Sequence, residues 1–391
     1  MPAAARKFSF EERLGPQTKP KHILILGGLA ESLTNFRGPL IKAMLVAGHR
    51  VTAAAGDDDP DVARTLRSWG AAFEPVALAR VGMNPLADLA TLRRLVRLMR
   101  RTAPDIFFGY AIKPVTYGLV AARITNVPKR YAMITGLGYA FTEGRELRRR
   151  AARLAAMAAY SGSLQFAHRV IFQNPDDEAF FCESGLLRDK AQAGRVNGSG
   201  VDLVHFAPAP LPEGPITFLM IARLLRDKGV YEYVEAARIV KRHHPQARFV
   251  LVGPFDPNPA AIRISEIESW VNQGIVDYKG AVKDVRPTIA ACHVYVLPSY
   301  REGMPRTVLE AMAMGRAVIT TNVPGCRETV LPNETGLLIP PRDVGSLVTA
   351  CTSFARDRLK IVAMSSKAAG AAKSKFDAEV SARTIVSLMQ I

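Results

Sequence analysis

The chain has 391 residues, 48% hydrophobic and 22% charged, a globular composition that excludes a disordered or fibrous protein. Its net charge of +17 is concentrated, since residues 80–155 hold 15 Lys and Arg against 4 Asp and Glu, a surplus suited to an anionic partner. Cys182, Cys292, Cys326 and Cys351 stand too far apart for a zinc motif or a disulfide scaffold, which points to a reducing compartment, and no window reaches the roughly 18 apolar residues of a membrane span.

Residues 1–19 carry Arg6, Lys7, Glu11, Glu12 and Arg13 without an apolar stretch, so a loose leader is expected there and not a secretory signal. The run HILILGG (22–28) is a buried strand stopped by glycines, followed by a helix over 39–47. Strands are expected again at 49–56, 105–110, 130–138 and 168–174, with a helical stretch through Trp69 after the second strand. APAPLPEGP (207–215), four prolines in nine residues, is a linker between domains. Beyond it the pattern restarts, with strands at 216–223, 247–253, 276–280, 294–298 and 317–321 and a helix over 230–244. Strand and helix in alternation imply parallel sheets covered on both faces. The expected fold is therefore α/β, with two doubly wound, Rossmann-like domains facing each other across a cleft. Their bounds are 20–206 and 216–374, and a terminal helix over 375–391 packs back across the first domain. Ligands of such folds lie beyond the carboxyl ends of the strands.

YREGMPRTVLEAMAMG (300–315) carries the chemistry. Gly303 lets backbone approach a ligand, Pro305 suits a first helical turn, and the amides of Gly303, Met304, Thr307 and Val308 would face an anion. Glu310 follows Pro305 by five residues, about 7.5 Å along a helix. One ligand can thus meet the helix end with a phosphate and the carboxylate with vicinal hydroxyls, as a sugar nucleotide does. Arg223, at the end of the first strand of the second domain, and Lys228 in the loop beyond could neutralise a diphosphate without a metal. The acid run Asp57–Asp59 beside Pro60 fits a solvated loop, and no metal site is expected.

Glu302 and Glu310, seven residues between them, are similar to the Glu-x7-Glu motif of retaining glycosyltransferases of family 4, which have the GT-B architecture of two facing Rossmann-like domains. The likeness extends over residues 21–390 through ILGGLAESLTNFRGPL, GSGVDLVHFAP, the Arg223/Lys228 pair and TGLLIPPRD. GYAIKPVTYG and TGLGYAF resemble the subgroup that adds N-acetylhexosamines to undecaprenyl-diphosphate-linked glycans. The resemblance implies that Glu302 binds donor-sugar hydroxyls and Glu310 the ribose. Arg223, Lys228, the 303–308 amides and the Gly27–Gly28 turn would then hold the diphosphate, with Gly253 and the loop around Gly280 flanking the base. It implies a UDP-sugar as substrate, no cofactor, a lipid-diphosphate-linked acceptor, and peripheral residence on the inner face of the cytoplasmic membrane. Arg37, Lys113, Thr135 and Gly136 are the expected acceptor contacts. Many relatives have a histidine where this chain has Ile112, which cannot move a proton, so no first-domain acid or base is assigned.

Two basic amphipathic stretches are the expected membrane surface. In 86–101 an apolar stripe of Leu89, Leu92, Val96 and Met99 runs beside Arg93, Arg97, Arg100 and Arg101, and in 145–160 Arg145, Arg149 and Arg153 share a face. His168 and the pair His243–His244 fit structural roles. A sugar-nucleotide epimerase of the same architecture is the alternative enzyme. Nucleic acid is not an expected partner, since no recognition motif accompanies the charge.

Overall fold

The computed structural model describes residues 19–78, 85–137, 141, 147–256, 258 and 260–391. The expected leader up to residue 18, Arg145, and Gly138 to Ala140 of the 135–141 loop lie outside the described residues, as do the side chains of Leu147 and Arg149.

Two parallel sheets organise the chain. The first contains β1 (His22–Leu26), β2 (Arg50–Ala55), β3 (Ala72–Pro75), β4 (Ile106–Tyr110), β5 (Lys129–Ile134), β6 (Arg169–Phe172) and β7 (Ala193–Arg195), in the order β3-β2-β1-β4-β5-β6-β7. The second contains β8 (Thr217–Ile221), β9 (Arg248–Val252), β10 (Asp277–Tyr278), β11 (Val294–Leu297), β12 (Ala317–Thr321) and β13 (Gly336–Ile339), in the order β10-β9-β8-β11-β12-β13. Both orders reverse once, between β1 and β4 and between β8 and β11. Crevices open at those two reversals. The central strands are continuous apolar runs because helices cover both their faces: every residue of β1, β4, β11 and β12 is buried. The edge strands β3, β7 and β13 were not expected from the sequence. Each is three or four residues long, too short for a pattern to emerge, and is held by pairing to a single neighbour.

Local signals close the helices. Pro60–Trp69 starts at Asp59, whose carboxylate accepts from the amides of Asp61 and Val62, and stops at Gly70 in the left-handed conformation. Its Val62, Ala63 and Leu66 face the core. The final helix, Ala378–Met389, buries Ala382, Ile385, Val386 and Met389 in the first domain against Ile41 and Met44, and the Tyr131 hydroxyl donates to the Met389 carbonyl. The chain therefore crosses between domains twice, and the crossings touch: Val201 and Ala378 exchange a hydrogen bond of 3.0 Å.

The Pro-rich segment is strapped to the second domain. Arg316, fully buried, uses all five N–H donors on carbonyl oxygens, two of them Ala209 and Pro210 of the linker and the rest Ile289, Ala290 and Gly315. Arg358 adds bonds to the carbonyls of Pro212 and Gly214. A buried guanidinium survives here because every donor is satisfied. Arg316→Leu strands those carbonyls and should lower stability by about 3–5 kcal/mol, read from urea unfolding.

Candidate active site

The helix Arg306–Ala313 begins after Pro305 and presses Val308, Leu309, Ala311 and Met312 into the second core. Glu310 is buried with them, 7% exposed, and meets the Arg306 guanidinium one turn earlier at 2.8 Å. Burial pushes its carboxyl up to about 7, with Arg306 pulling the other way. Arg306 also stacks over Phe36 of the first domain, 4.9 Å from the ring centre, so this pair lies on the cleft wall.

Glu302 lies on the loop between β11 and that helix. One of its carboxylate oxygens accepts from Lys228 Nζ at 2.5 Å and from Ser299 Oγ at 2.8 Å. Lys228 ends a 3-10 turn that follows β8, and Gly229 closes the turn with φ +78°. A side chain at Gly229 would collide with the Pro298 carbonyl, which fixes Lys228 against the end of β11. The Glu302 amide donates to the Pro324 carbonyl at 3.1 Å, and Gly325 donates to Glu328 at 2.7 Å. Lys228, Ser299 and Glu302 thus converge at the β8/β11 reversal.

Other expected second-domain residues are placed differently. Arg223 pairs with Asp256 at 2.8 Å and is half exposed, so its charge is committed outside the Lys228–Glu302 group. The Val308 amide is spent on the Pro305 carbonyl at 3.1 Å and is not free for an anion. The Thr307 hydroxyl accepts from the buried Tyr295 hydroxyl at 2.6 Å. Gly253, with φ +151°, lets β9 and β8 meet, since a Cβ there would overlap the Ala222 carbonyl. It donates to Gly280 at 2.9 Å and accepts from Tyr278 at 2.8 Å, so the Gly253 and Gly280 turns are one unit.

Across the cleft, Gly27 has its α-face against the Tyr110 hydroxyl, where no side chain fits, while Gly28 faces open space. Arg37 is 2% exposed, lies over the Tyr110 ring at 4.6 Å, and donates to Ser199 Oγ at 2.8 Å. Burial depresses its pKa to about 10, and Arg306 facing it pushes the same way. Lys113 pairs with Asp88 at 2.9 Å, both mostly buried. Thr135 and Gly136 lie in the seam between the domains. Their backbone packs on Gly303, where an added Cβ would meet the Thr135 carbonyl at 2.0 Å, and Gly198 packs on Met304 in the same seam. Gly303 is thus small because the other domain's backbone approaches it, a reason beyond ligand contact.

Sequence reasoning missed Ser299, Arg306, Arg301 and the segment Asn174–Asp177. Arg306 was detectable, four residues before Glu310 on one helix face. Asn174 and Asp177 had only the signal of an N-cap followed by proline.

A cation, a hydroxyl and a carboxylate at one strand-end reversal, next to a second carboxylate behind a helix terminus, can hold a polyhydroxyl group and a diphosphate together. The comparisons agree. Residues 38–193 match the model of the glycosyl transferase 4-like domain, and residues 215–357 match glycosyl transferases group 1. The N,N'-diacetylbacillosaminyl-diphospho-undecaprenol alpha-1,3-N-acetylgalactosaminyltransferase of Campylobacter jejuni is 31% identical over 320 residues, 78% of this chain and 82% of its own. The UDP-Gal:alpha-D-GlcNAc-diphosphoundecaprenol alpha-1,3-galactosyltransferase of Escherichia coli is 26% identical over 300 residues, 73% of this chain and 75% of its own. Among solved structures, Anabaena HepE in complex with UDP-glucose superposes with a TM-score of 0.74 at 18% identity, covering 95% of this chain and 99% of that one, and shares the fold. The chain belongs to the family 4 glycosyltransferases of GT-B architecture and is a glycosyltransferase.

The raised Glu310 carboxyl has a thermodynamic signature. Its folded pKa lies above the ordinary 4.5, so the native state binds more protons than the unfolded chain between 4.5 and about 7, and stability falls as pH rises through that window. Glu310→Gln removes the titrating group. Its Tm relative to the unliganded parent should therefore climb from pH 4.5 to about 7 and stay level above, in calorimetric scans.

Proposed function

We propose that this chain transfers an N-acetylhexosamine from a UDP-sugar to a polyprenyl-diphosphate-linked glycan, with retention and without a metal. The observation that carries the reading is the convergence of Lys228, Ser299 and Glu302 at the β8/β11 reversal, with Glu310 behind the adjoining helix end. Ribose hydroxyls replace Arg306 on Glu310, and donor-sugar hydroxyls meet Glu302. Lys228 and the amides of Gly303, Met304, Arg306 and Thr307 take up the charge of the departing UDP, the electrostatic contribution that dominates many transfer reactions. Arg223, held by Asp256, borders the same strand end and serves as the outer cation. The acceptor hydroxyl attacks C1 on the face UDP leaves, the C1–O bond to phosphate breaks with its electron pair, and the hydroxyl proton passes to the departing phosphate oxygen. No protein base is required, consistent with Ile112 in the first domain.

The α-linked products in the names of both curated relatives support retention, because an α-configured donor giving an α product is retention. The same names, with their diphosphoundecaprenol acceptors, support the lipid-linked substrate. UDP in the E. coli relative's name and in the HepE complex supports the nucleotide. On the acceptor side Arg37 has no carboxylate beside it among the described residues, whereas Lys113 would have to part from Asp88. Membrane contact falls to the outer face of the helix Pro85–Thr102, where Arg93, Arg97 and Arg100 border a groove with Leu92, Val96 and Ile124. Among the described residues no helix is long and apolar enough to cross a membrane. Peripheral binding at the inner face, at about 1 kcal/mol per basic residue near an anionic surface, suits that face.

Transfer of labelled sugar from UDP-N-acetylhexosamine to a diphosphoundecaprenol-linked acceptor tests the reading. Lys228→Ala and Glu302→Gln should each lower kcat by on the order of 10²–10³, the size of a lost charge-stabilising contact, and Arg223→Ala by less. Activity should persist in EDTA. Parent-level kcat in Glu302→Gln, or thermal stabilisation by GDP-sugars alone, would overturn it.

A further inference from the structure

Glu302 is bracketed by two residues that the first domain holds. Arg301, immediately before it, pairs through its guanidinium with Asp177, a wholly buried carboxylate in the first turn of the helix Pro175–Glu183. Gly303, immediately after it, has its carbonyl taken by the side-chain amide of Asn174 at 2.8 Å. Asn174 is itself 1% exposed and fixed from both ends: its oxygen accepts from the Asp177 amide at 2.8 Å, and its nitrogen also donates to the Asp177 carboxylate at 3.0 Å. That backbone contact settles which end of the Asn174 amide is oxygen, leaving the nitrogen aimed across the seam. At the rim Asp176 meets Arg327 at 3.3 Å.

We propose that Asn174, Asp177 and Arg301 form an inter-domain latch that sets the backbone on both sides of Glu302, so that the donor-sugar carboxylate is in register only when the cleft is closed. The inference rests on the transferase reading above and adds the residues that couple closure to chemistry. Energetics favour a positioning role over a stabilising one. Desolvating a carboxylate and a guanidinium nearly cancels their attraction, so such a pair adds little net stability but penalises any other register heavily. Opening the cleft would return both charges to water instead of stranding them, which makes the contact reversible. The backbones of Gly303 and of Thr135–Gly136 touch in the same seam, so closure and the placement of Glu302 are one event. Asp177 and Arg301 are positioning residues. Neither needs to touch substrate.

Asp177→Asn, Arg301→Gln and the double variant, made in the full chain, test the latch. Each single change should lower kcat by on the order of 10- to 100-fold, as small misplacements of a reacting group do, and weaken UDP binding by far less, because Lys228 and Glu310 stay in place. The double variant should be no slower than the slower single one, because one contact is lost once. Amide hydrogen exchange at 134–136 and 301–304 should speed up in all three, a readout that needs no turnover. Parent-level kcat and exchange in Asp177→Asn, losses that multiply in the double variant, or a matching loss of UDP affinity would each overturn the latch. If the parent chain transfers no sugar, the transferase reading fails, and the exchange measurements still decide whether the latch exists.

Discussion

A carboxylate withdrawn from water needs a cation close by, and the cleft of this protein is assembled from three such pairs. Glu302 has Lys228, Glu310 has Arg306, and Asp177 has Arg301. Each pair links segments that the fold must hold in register: a strand-end turn to a loop, one helical turn to the next, and one domain to the other. Partners arriving with a substrate can displace a cation at modest cost because the carboxylate exchanges one set of donors for another. The site's carboxylates are thus held by its own basic residues.

Sheet topology sets where these pairs lie. In each domain the strand order turns back once, and the loops there carry the polar groups: Gly27 and Tyr110 on one side, Lys228 and Ser299 on the other. Glycines at 229, 253 and 303 bring backbone against backbone, so loops that would otherwise wander are pressed onto strand ends. The linker is also drawn into this order. Pinned by Arg316 and Arg358, it packs on the second domain, and the two crossings between domains adjoin near Val201 and Ala378.

Much of the architecture was legible because parallel strands buried on both faces leave unbroken apolar runs, as in HILIL and VYVL. The three short edge strands left no such trace. At the site, the spacing of Glu302 and Glu310 on one segment was readable, since both positions are local to a loop and the helix after it. Arg223 shows the limit: its place after β8 was read correctly, yet its charge goes to Asp256, thirty-three residues away. Lys113 is the parallel case in the first domain, neutralised by Asp88 from a neighbouring helix.

The sequence alone determined the two α/β units, the family and the carboxylate pair, because each depends on residues close together along the chain. Only the tertiary structure decided that Glu302 meets Lys228, that Gly303 is small to admit the other domain's backbone, and that Asn174 and Asp177 reach across to Glu302's neighbours. The cross-domain contacts join residues separated by more than a hundred positions, such as Asn174 and Gly303, and no local periodicity encodes a distance that two folded sheets must first create.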